Sequence, residues 1–533
     1  MSSCPRLMVI GIDGASWEQM QPALSAGDLP NIASLIQDGA RSDLRSVVPP
    51  ITGCAWPTMM TGANPGRHGM FGFASYTGDY LPRPLSNADR KRPALWEILN
   101  HHDLTTGIYN VPMTYPCDDV DGYMVSGEIG AVGYDQSLTR PRELFDELRE
   151  AVPRYELKPV VKGLGRDYGL EKLTAQIEAR SKAATYLLEN HPTDVFIGVV
   201  NYVDHVQHRF MKTRGFEGID DMVLWAYRQA DEFVGEVLRY ADDDTLVILA
   251  SDHGAGEISG FLDMDALLCT LGYRSYQMLS DRSHVIRKSL RKVYSRLVKP
   301  LLSGEQHNRL RRSAPEWTHG ERTNWAESPA YSAGPYGCVR LNLQGREQFG
   351  CVAPKDRRAV RDELIGRLNE VVNPYSGEQD LNMQPAENFY SGECAELGPD
   401  IVGLPQDFAL ESVRIRGNRE KPFPNHDDIP EKLGGKKMLE GTHRINGVLA
   451  IRAPGIAGGI TGSPHLTDVA PTVLALLGLP VPSDLDGRVC VDIEHTADEG
   501  PSVQRQTSVG EGDGYTDEEA REVEKRLRDL GYM

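Results

Sequence analysis

Along much of the chain, short unbroken apolar runs alternate with stretches in which apolar residues recur at helical spacing. Residues 7–13 (LMVIGID) are apolar without interruption until Asp13 and Gly14 close the run. Such a run reads as a strand covered on both faces, because a strand with one wet face alternates polar and apolar positions. A helical pattern follows through LPNIASLIQDG, with Gly39 expected as its C-cap. Further strands are predicted at 106–109, 194–200 (DVFIGVV) and 245–251 (TLVILAS), the last preceded by a long helical pattern over 220–241. The alternation predicts an α/β fold: a mostly parallel central sheet flanked by helices on both faces. Sheets of this kind gather their chemistry at the C-terminal ends of the strands.

The pattern changes over 266–321. Ten basic residues fall between 281 and 312, opposed only by Asp281 and Glu305. Ile286, Leu290, Val293, Leu297 and Leu301 recur among them at helical spacing, and Pro300 is placed to end or kink the helix. This reads as a basic amphipathic helical insertion, or cap. Its default role is a solvated face; its functional reading is attraction of an anionic substrate, or peripheral contact with a membrane through 282–312. Strand patterns resume at 336–343, 400–404 and 447–452. The expected division is a catalytic core of 1–265 and 322–497, the insertion 266–321, a polar linker 498–515 and a C-terminal helix 516–533. Thr516 and Glu519 have the spacing of a capping box for that helix. There is no internal repeat.

Composition narrows the class. A chain of 533 residues, 40% hydrophobic and 25% charged, suits a globular enzyme. A net charge of −19 argues against a general basic surface, so no stable nucleic-acid partner is expected. The N-terminal apolar run is too short for a signal peptide, and no stretch approaches the roughly 20 apolar residues of a membrane span. Eight cysteines without CxxC spacing suggest neither a zinc finger nor a disulfide framework. A cytoplasmic protein with reduced thiols is expected.

The candidate chemistry lies at the element ends. Asp13 closes the first strand, and Asp252 and His253 follow TLVILAS. Asp204 and His208 are four apart in NYVDHVQH, on one face if the segment is helical, and His443 precedes GVLAIRA. Each alone has a blander reading as a cap or core residue. Together, oxygen and imidazole donors in this ratio suit Zn²⁺, with Mn²⁺ or Fe²⁺ as alternatives. PPITGCAWPTMMTG adds two threonines, Thr52 and Thr58, and metal coordination is one of few ways to make such a hydroxyl nucleophilic. Residue chemistry does not choose between them. His205 would face another side of the helix, His68 reads as shaping a turn or supporting a ligand from behind, and His465 reads as a packing or capping residue. The glycine-rich PGIAGGITG lacks the strand-to-helix context of a phosphate loop and reads as a plain loop.

In VIGIDGA, PPITGCAWPTMMTG, PGRHG, VDHVQH, SDHG, GTHR and HLTDVAPTVLALLGLP, the chain resembles the alkaline phosphatase superfamily, in its branch of type I phosphodiesterases and nucleotide pyrophosphatases. The motifs cover nearly the whole chain in the family's order. The resemblance implies that the nucleophile lies nine residues before Thr61-Gly62, which selects Thr52. It implies two divalent metal ions, one held by Asp13, Thr52, Asp252 and His253, the other by Asp204, His208 and His443. The implied activity is hydrolysis of a small-molecule phosphate ester through a covalent phosphothreonine. Two departures qualify the substrate. Where nucleotide pyrophosphatases carry a phosphoryl-binding asparagine, this chain has Phe73, so that donor is expected to be replaced by the Gly53 backbone N–H, by another side chain, or by nothing, and nucleotide specificity does not carry over. The Cys/Ser-x-Pro-x-Arg motif of sulfatases is absent around Thr52. Alternatives with the same residues are a phosphoryl or sulfuryl transferase, a phosphomonoesterase or sulfate esterase, and a metal-dependent binding protein without turnover.

Overall fold

The computed structural model describes residues 4–529, apart from 77, 128–129, 132, 157–168, 279–320, 416, 430–439, 455–458, 499–502 and 506–513. The basic stretch 282–312 therefore lies outside the described residues. Ten strands frame the site: β1 (Leu7–Ile12), β2 (Ala40–Arg45), β3 (Thr106–Val111), β4 (Gly122–Ser126), β5 (Thr139–Arg140), β6 (Val195–Val200), β7 (Leu246–Ala250), β8 (Gly254–Glu257), β9 (Gly441–Arg444) and β10 (Asn446–Arg452). Eight of them form one sheet in the order β2–β10–β7–β1–β6–β3–β4–β5. The five from β7 to β4 run parallel. The outer pairings, β2 with β10, β10 with β7 and β4 with β5, are antiparallel. β8 and β9 pair as a separate antiparallel ribbon, with Ala255 opposite His443.

The principal helices are α1 (Thr52–Thr61), α2 (Leu170–Asn190), α3 (Tyr202–Phe210), α4 (Met222–Leu238) and α5 (Val469–Leu476). Alternate residues of β1 serve opposite layers. Met8, Ile10 and Ile12 belong to a core that includes Leu173 and Ile177 of α2 and Ala226 and Phe233 of α4. Leu7 and Val9 belong to a second core with Trp56 and Met59 of α1 and Val473 and Leu474 of α5. The apolar run LMVIGI is thus unbroken because both faces of the strand are covered. A third core, including Leu262, Leu267, Leu341, Leu364 and Ile401, belongs to a satellite. It carries a small antiparallel sheet of Ala330–Ser332, Val339–Leu341, Gln384–Pro385 and Ile401–Val402.

Local expectations hold unevenly. The early helix spans Pro30–Gln37 and is capped by Asp38, not Gly39. Gly39 serves a close approach instead: a Cβ there would lie 2.2 Å from the carbonyl oxygen of Ile451 on β10. The final helix is present over Asp517–Asp529, and Thr516 and Glu519 exchange the expected capping hydrogen bonds (2.7 and 3.3 Å). The polar stretch before it contains anchored residues. Arg505 donates to Asn87 O (2.7 Å) and the Tyr515 hydroxyl to Gly130 O (2.6 Å).

One buried clamp fixes α1. Met70 N–H donates to His68 Nδ1 (3.2 Å), so Nε2 carries the proton and donates to Thr58 Oγ1 (2.9 Å). The Thr58 hydroxyl in turn donates to Cys54 O (2.9 Å). His68 is thus the turn-shaping residue its motif suggested, and Thr58 is a link in the frame.

Burial, reinforced by the Arg90 charge, lowers the His68 pKa from the ordinary 6.5 to about 3. Between those values the unfolded chain takes up a proton that the folded protein refuses, so stability is full above about pH 6.5 and falls as the pH drops towards 3. Urea melts across this range should show a shallower acid-side loss for His68→Gln than for the wild type, from a lower starting stability.

Candidate active site

The ligand-type residues sit where the parallel strands end. Asp13 follows β1, and Asp252 and His253 follow β7 after a single serine. Asn201 joins β6 to α3, whose first turns carry Asp204 and, one turn later, His208. His443 comes from β9, and Thr52 is the first residue of α1. Asp13, Thr52, Asp204, Asp252, His253 and His443 are all buried, and the His208 side chain is 16% exposed.

These side chains converge. Thr52 Oγ1 lies 3.1 Å from His253 Nε2 and 3.5 Å from Asp13 Oδ1. His253 Nε2 is 3.3 Å from Asp252 Oδ2 and 3.7 Å from Asp13 Oδ1. On the other side, Asp204 Oδ1 is 3.4 Å from His208 Nε2 and 3.7 Å from His443 Nε2. The rings of His253 and His443 stack at 3.7 Å and join the two halves. All seven residues named from the sequence therefore occupy one centre.

Two observations show that the donor set fits cations. The first is orientation. His443 Nδ1 donates to Pro50 O (2.6 Å), His208 Nδ1 to Gly441 O (2.8 Å) and His253 Nδ1 to Gly254 O (3.0 Å). Each ring so held presents the Nε2 lone pair inward, the arrangement of metal-ligating histidines. His208 and His443 Nε2 face each other at 3.0 Å, a contact that needs a positive charge between the lone pairs. The second is the carboxylates. Trp56 Nε1 holds Asp13 Oδ2 (3.0 Å) and Gly14 N–H holds Asp252 Oδ1 (3.2 Å), leaving the other oxygens facing the centre. Asp204 Oδ1 and Asp252 Oδ2 are buried without any hydrogen-bond partner. Compact groups of potential ligand atoms, within 4.8 Å of one another, are Asp13–Asp252–His253 and Asp204–His253–His443.

The electrostatics differ between the halves. Burial, then the charges of Asp252 and Asp204, pushes the Asp13 carboxyl well above the carboxylate range, and burial also raises Asp252. At Asp204 burial acts in the same direction, but His208, His443, His253 and His205 outweigh it and hold the pKa at about 2. His443 is held well below 6.5 by burial and by His253.

Thr52 opens a helix, where backbone N–H groups lack intrahelical acceptors and the dipole favours negative charge. Cys54 and Ala55 N–H turn back to Ile51 O, both at 2.8 Å. Gly53, the next residue after Thr52, lies against Phe73: a Cβ there would meet Phe73 Cδ1 at 2.7 Å and Gly72 C at 2.9 Å. A concavity of about 450 Å³ lined by Cys4, Arg6, Asp242, Leu246 and Leu477 lies at the opposite, N-terminal end of β1 and β7. It holds none of the seven residues.

A model of the type I phosphodiesterase / nucleotide pyrophosphatase family matches residues 7–409. The chain belongs to this family. Six of the seven converging residues lie inside the matched span, and His443 lies beyond it. The fold is also similar to a crystal structure of phosphonoacetate hydrolase from Sinorhizobium meliloti 1021 in complex with phosphonoformate. That likeness has a TM-score of 0.50 at 12% identity, over 87% of this chain and 94% of the other, and concerns the fold alone. No curated protein matches the sequence.

Membership makes this a hydrolase of phosphoester-type substrates, and the donor set makes metal dependence the natural expectation of the family's chemistry. His205 lies outside both compact groups. His465 caps a helical turn through Thr467 N–H (3.3 Å), as its position suggested. Three residues beside the centre escaped sequence reasoning. Trp56 holds Asp13, and its place one helical turn after Thr52 was the available signal. Gln207, beside His208, donates to Gly14 O (2.8 Å). Glu411 is a buried acid near His208, raised by burial and partly restrained by that histidine and by a hydrogen bond with Thr442.

The Gly53 contact can be tested directly. Gly53→Ala should cost about 1–3 kcal/mol by overpacking against Phe73 and the Gly72 backbone. Denaturant melts measure that loss, and Gly53→Ala combined with Phe73→Leu should recover part of it.

Proposed function

We propose that the protein is a two-metal hydrolase of phosphate esters, of phosphodiesterase or nucleotide-pyrophosphatase type, that attacks phosphorus with Thr52. The observation that carries this reading is the position of Thr52 Oγ1, between His253 Nε2 (3.1 Å) and Asp13 Oδ1 (3.5 Å) at the start of α1. Asp13, Thr52, Asp252 and His253 would hold one divalent ion and Asp204, His208 and His443 the other. Zn²⁺ suits these donors best, with Mn²⁺ and Fe²⁺ as alternatives. When bound, the ions would supply Lewis-acid charge stabilisation and lower the pKa of coordinated hydroxyl groups.

The chain's own residues do the rest. Thr52 Oγ1 gives up its proton to solvent and attacks in line; the Oγ–P bond forms as the bond to the leaving oxygen breaks, and that oxygen takes a proton from solvent to leave as the alcohol, giving a phosphothreonine. The Gly53 N–H, in the first turn of α1, would donate to a phosphoryl oxygen, and the helix dipole there favours the charge that develops. Water then cleaves the Oγ–P bond on the face opposite Thr52 and restores the hydroxyl. Trp56 and Gly14 keep Asp13 and Asp252 aimed throughout, so the barrier falls mainly through positioning and charge neutralisation.

Elemental analysis of protein purified without chelator should find about two divalent ions per chain. Thr52→Ala should abolish turnover of bis-p-nitrophenyl phosphate while keeping the fold and most of the metal. Acid quenching of the wild type during turnover should trap a phosphorylated peptide containing Thr52, and configuration at phosphorus should be retained. Thr58→Ala should keep the covalent chemistry and lose stability instead, by about 1–3 kcal/mol, because it leaves the buried His68 N–H unpaired. An active Thr52→Ala variant with inversion at phosphorus would remove Thr52 from the mechanism.

A further inference from the structure

Gln207 lies between Asp204 and His208 on α3, yet its side chain serves the other half of the centre. Its Nε2 donates to Gly14 O (2.8 Å), and its Oε1 accepts from the Tyr227 hydroxyl (2.9 Å). The same hydroxyl accepts from Ser16 N–H (3.0 Å), so Tyr227 and Gln207 together brace the loop after β1. Gly14 N–H donates to Asp252 Oδ1 (3.2 Å). Gly14 has φ +70, and a Cβ there would lie 2.8 Å from Asp204 Oδ1. A continuous buried path therefore runs from the helix bearing Asp204 and His208, through Gln207 and Gly14, to the carboxylate of Asp252.

We propose that Gln207 is a positioning residue that couples the two ion sites, so that filling either one raises the affinity of the other. This rests on the two-ion reading above. Ordering of Asp204 and His208 around a cation fixes the first turns of α3, and with them Gln207. Gln207 then fixes Gly14, whose N–H keeps Asp252 Oδ1 engaged and Oδ2 directed at the partner site. Linkage makes the effect reciprocal: an ion at Asp13, Asp252 and His253 orders the loop from which α3 is held. Hydrogen bonds behind metal ligands change affinity by about 10–100-fold when removed, so a single bridging residue is enough to couple two sites measurably.

The test is titration of metal-free protein with Co²⁺, followed by calorimetry and by the visible spectrum of the bound ion. Wild-type protein should take up two ions in one steep transition. Gln207→Met, similar in length but without hydrogen bonds, should split this into two steps, with the weaker step at least about 10-fold poorer than in the wild type. In the metal-free state the Gly14 amide should exchange its hydrogen faster in Gln207→Met than in the wild type. Tyr227→Phe, which removes the hydrogen bonds with Gln207 Oε1 and Ser16 N–H but leaves Gln207 Nε2 on Gly14 O, should shift the titration in the same direction by a smaller factor, and it carries the test if Gln207→Met does not fold. A folded Gln207→Met that still binds both ions in one transition of unchanged affinity would overturn the proposal, as would a wild type that fills its two sites independently. A wild type that binds fewer than two ions would instead remove the two-ion reading itself, a result visible before any variant is made.

Discussion

Three carboxylates, Asp13, Asp204 and Asp252, are buried together at the end of the parallel strands, and no lysine or arginine pairs with them among the described residues. Like charges about 4 Å apart repel by about 4 kcal/mol at an effective dielectric of about 20, before the cost of removing each from water. The surrounding structure is arranged to hold them in spite of this. Trp56 and Gly14 donate to one oxygen each of Asp13 and Asp252, and imidazoles surround Asp204. The backbone carbonyls of Pro50, Gly441 and Gly254 turn His443, His208 and His253 so that their free nitrogens face the acids. A cluster built this way would gain stability from bound cations, so that metal binding and fold stability would be linked here.

The sheet makes such a cluster affordable in space. Strand β1 has a residue on each face in contact with a complete helical layer, and Gly11 within it leaves room that a side chain would take from Trp56. A Cβ on Gly11 would lie 2.4 Å from Trp56 Cη2, so the glycine in VIGIDG permits the indole that holds Asp13 two residues later. Here an element of packing and an element of the site are the same contact. The clamp of His68 on Thr58 acts similarly at the far end of α1, fixing the helix whose first residue is Thr52.

Much of this was legible in the residues. The unbroken run LMVIGI required cover on both faces, and the two cores on either side of β1 provide it. Asp204 and His208 were assigned to one helical face from their spacing, and they meet at 3.4 Å. The antiparallel edge strands were not legible, because strand direction depends on where the chain returns and not on its local pattern. Gly39 was read as a cap because helix ends favour glycine, whereas its role is the tight passage against Ile451. Choosing Thr52 over Thr58 needed the family's motif spacing. The structure adds a physical difference: Thr58 Oγ1 is engaged by His68 and Cys54, while Thr52 Oγ1 faces ligand-type atoms. Trp56, Gln207 and Glu411 went unread for a common reason. Each lies behind or beside a residue of the centre rather than in it, and of the three only Trp56, one helical turn after Thr52, stands at a spacing that marks it.

The two halves of the centre are also electrically unlike, and this bears on how the chemistry is divided. Burial and the charge of Asp252 raise the proton affinity of Asp13, whose Oδ1 lies 3.5 Å from the hydroxyl of Thr52, where on the proposed reading a further negative charge develops. Asp204 stands among imidazoles that hold it ionised down to about pH 2. With Thr52 as the proposed nucleophile, the half beside it would be the one to gain most from a cation as that hydroxyl loses its proton. The imidazole-rich half already has its acid ionised and imidazole nitrogens aimed inward, so a cation there would keep more of its charge for a departing oxygen. On the proposed mechanism, an attack side that stabilises an anion on the protein, set against a departure side that stabilises an anion on the substrate, would follow from where three aspartates and three histidines fall around one threonine.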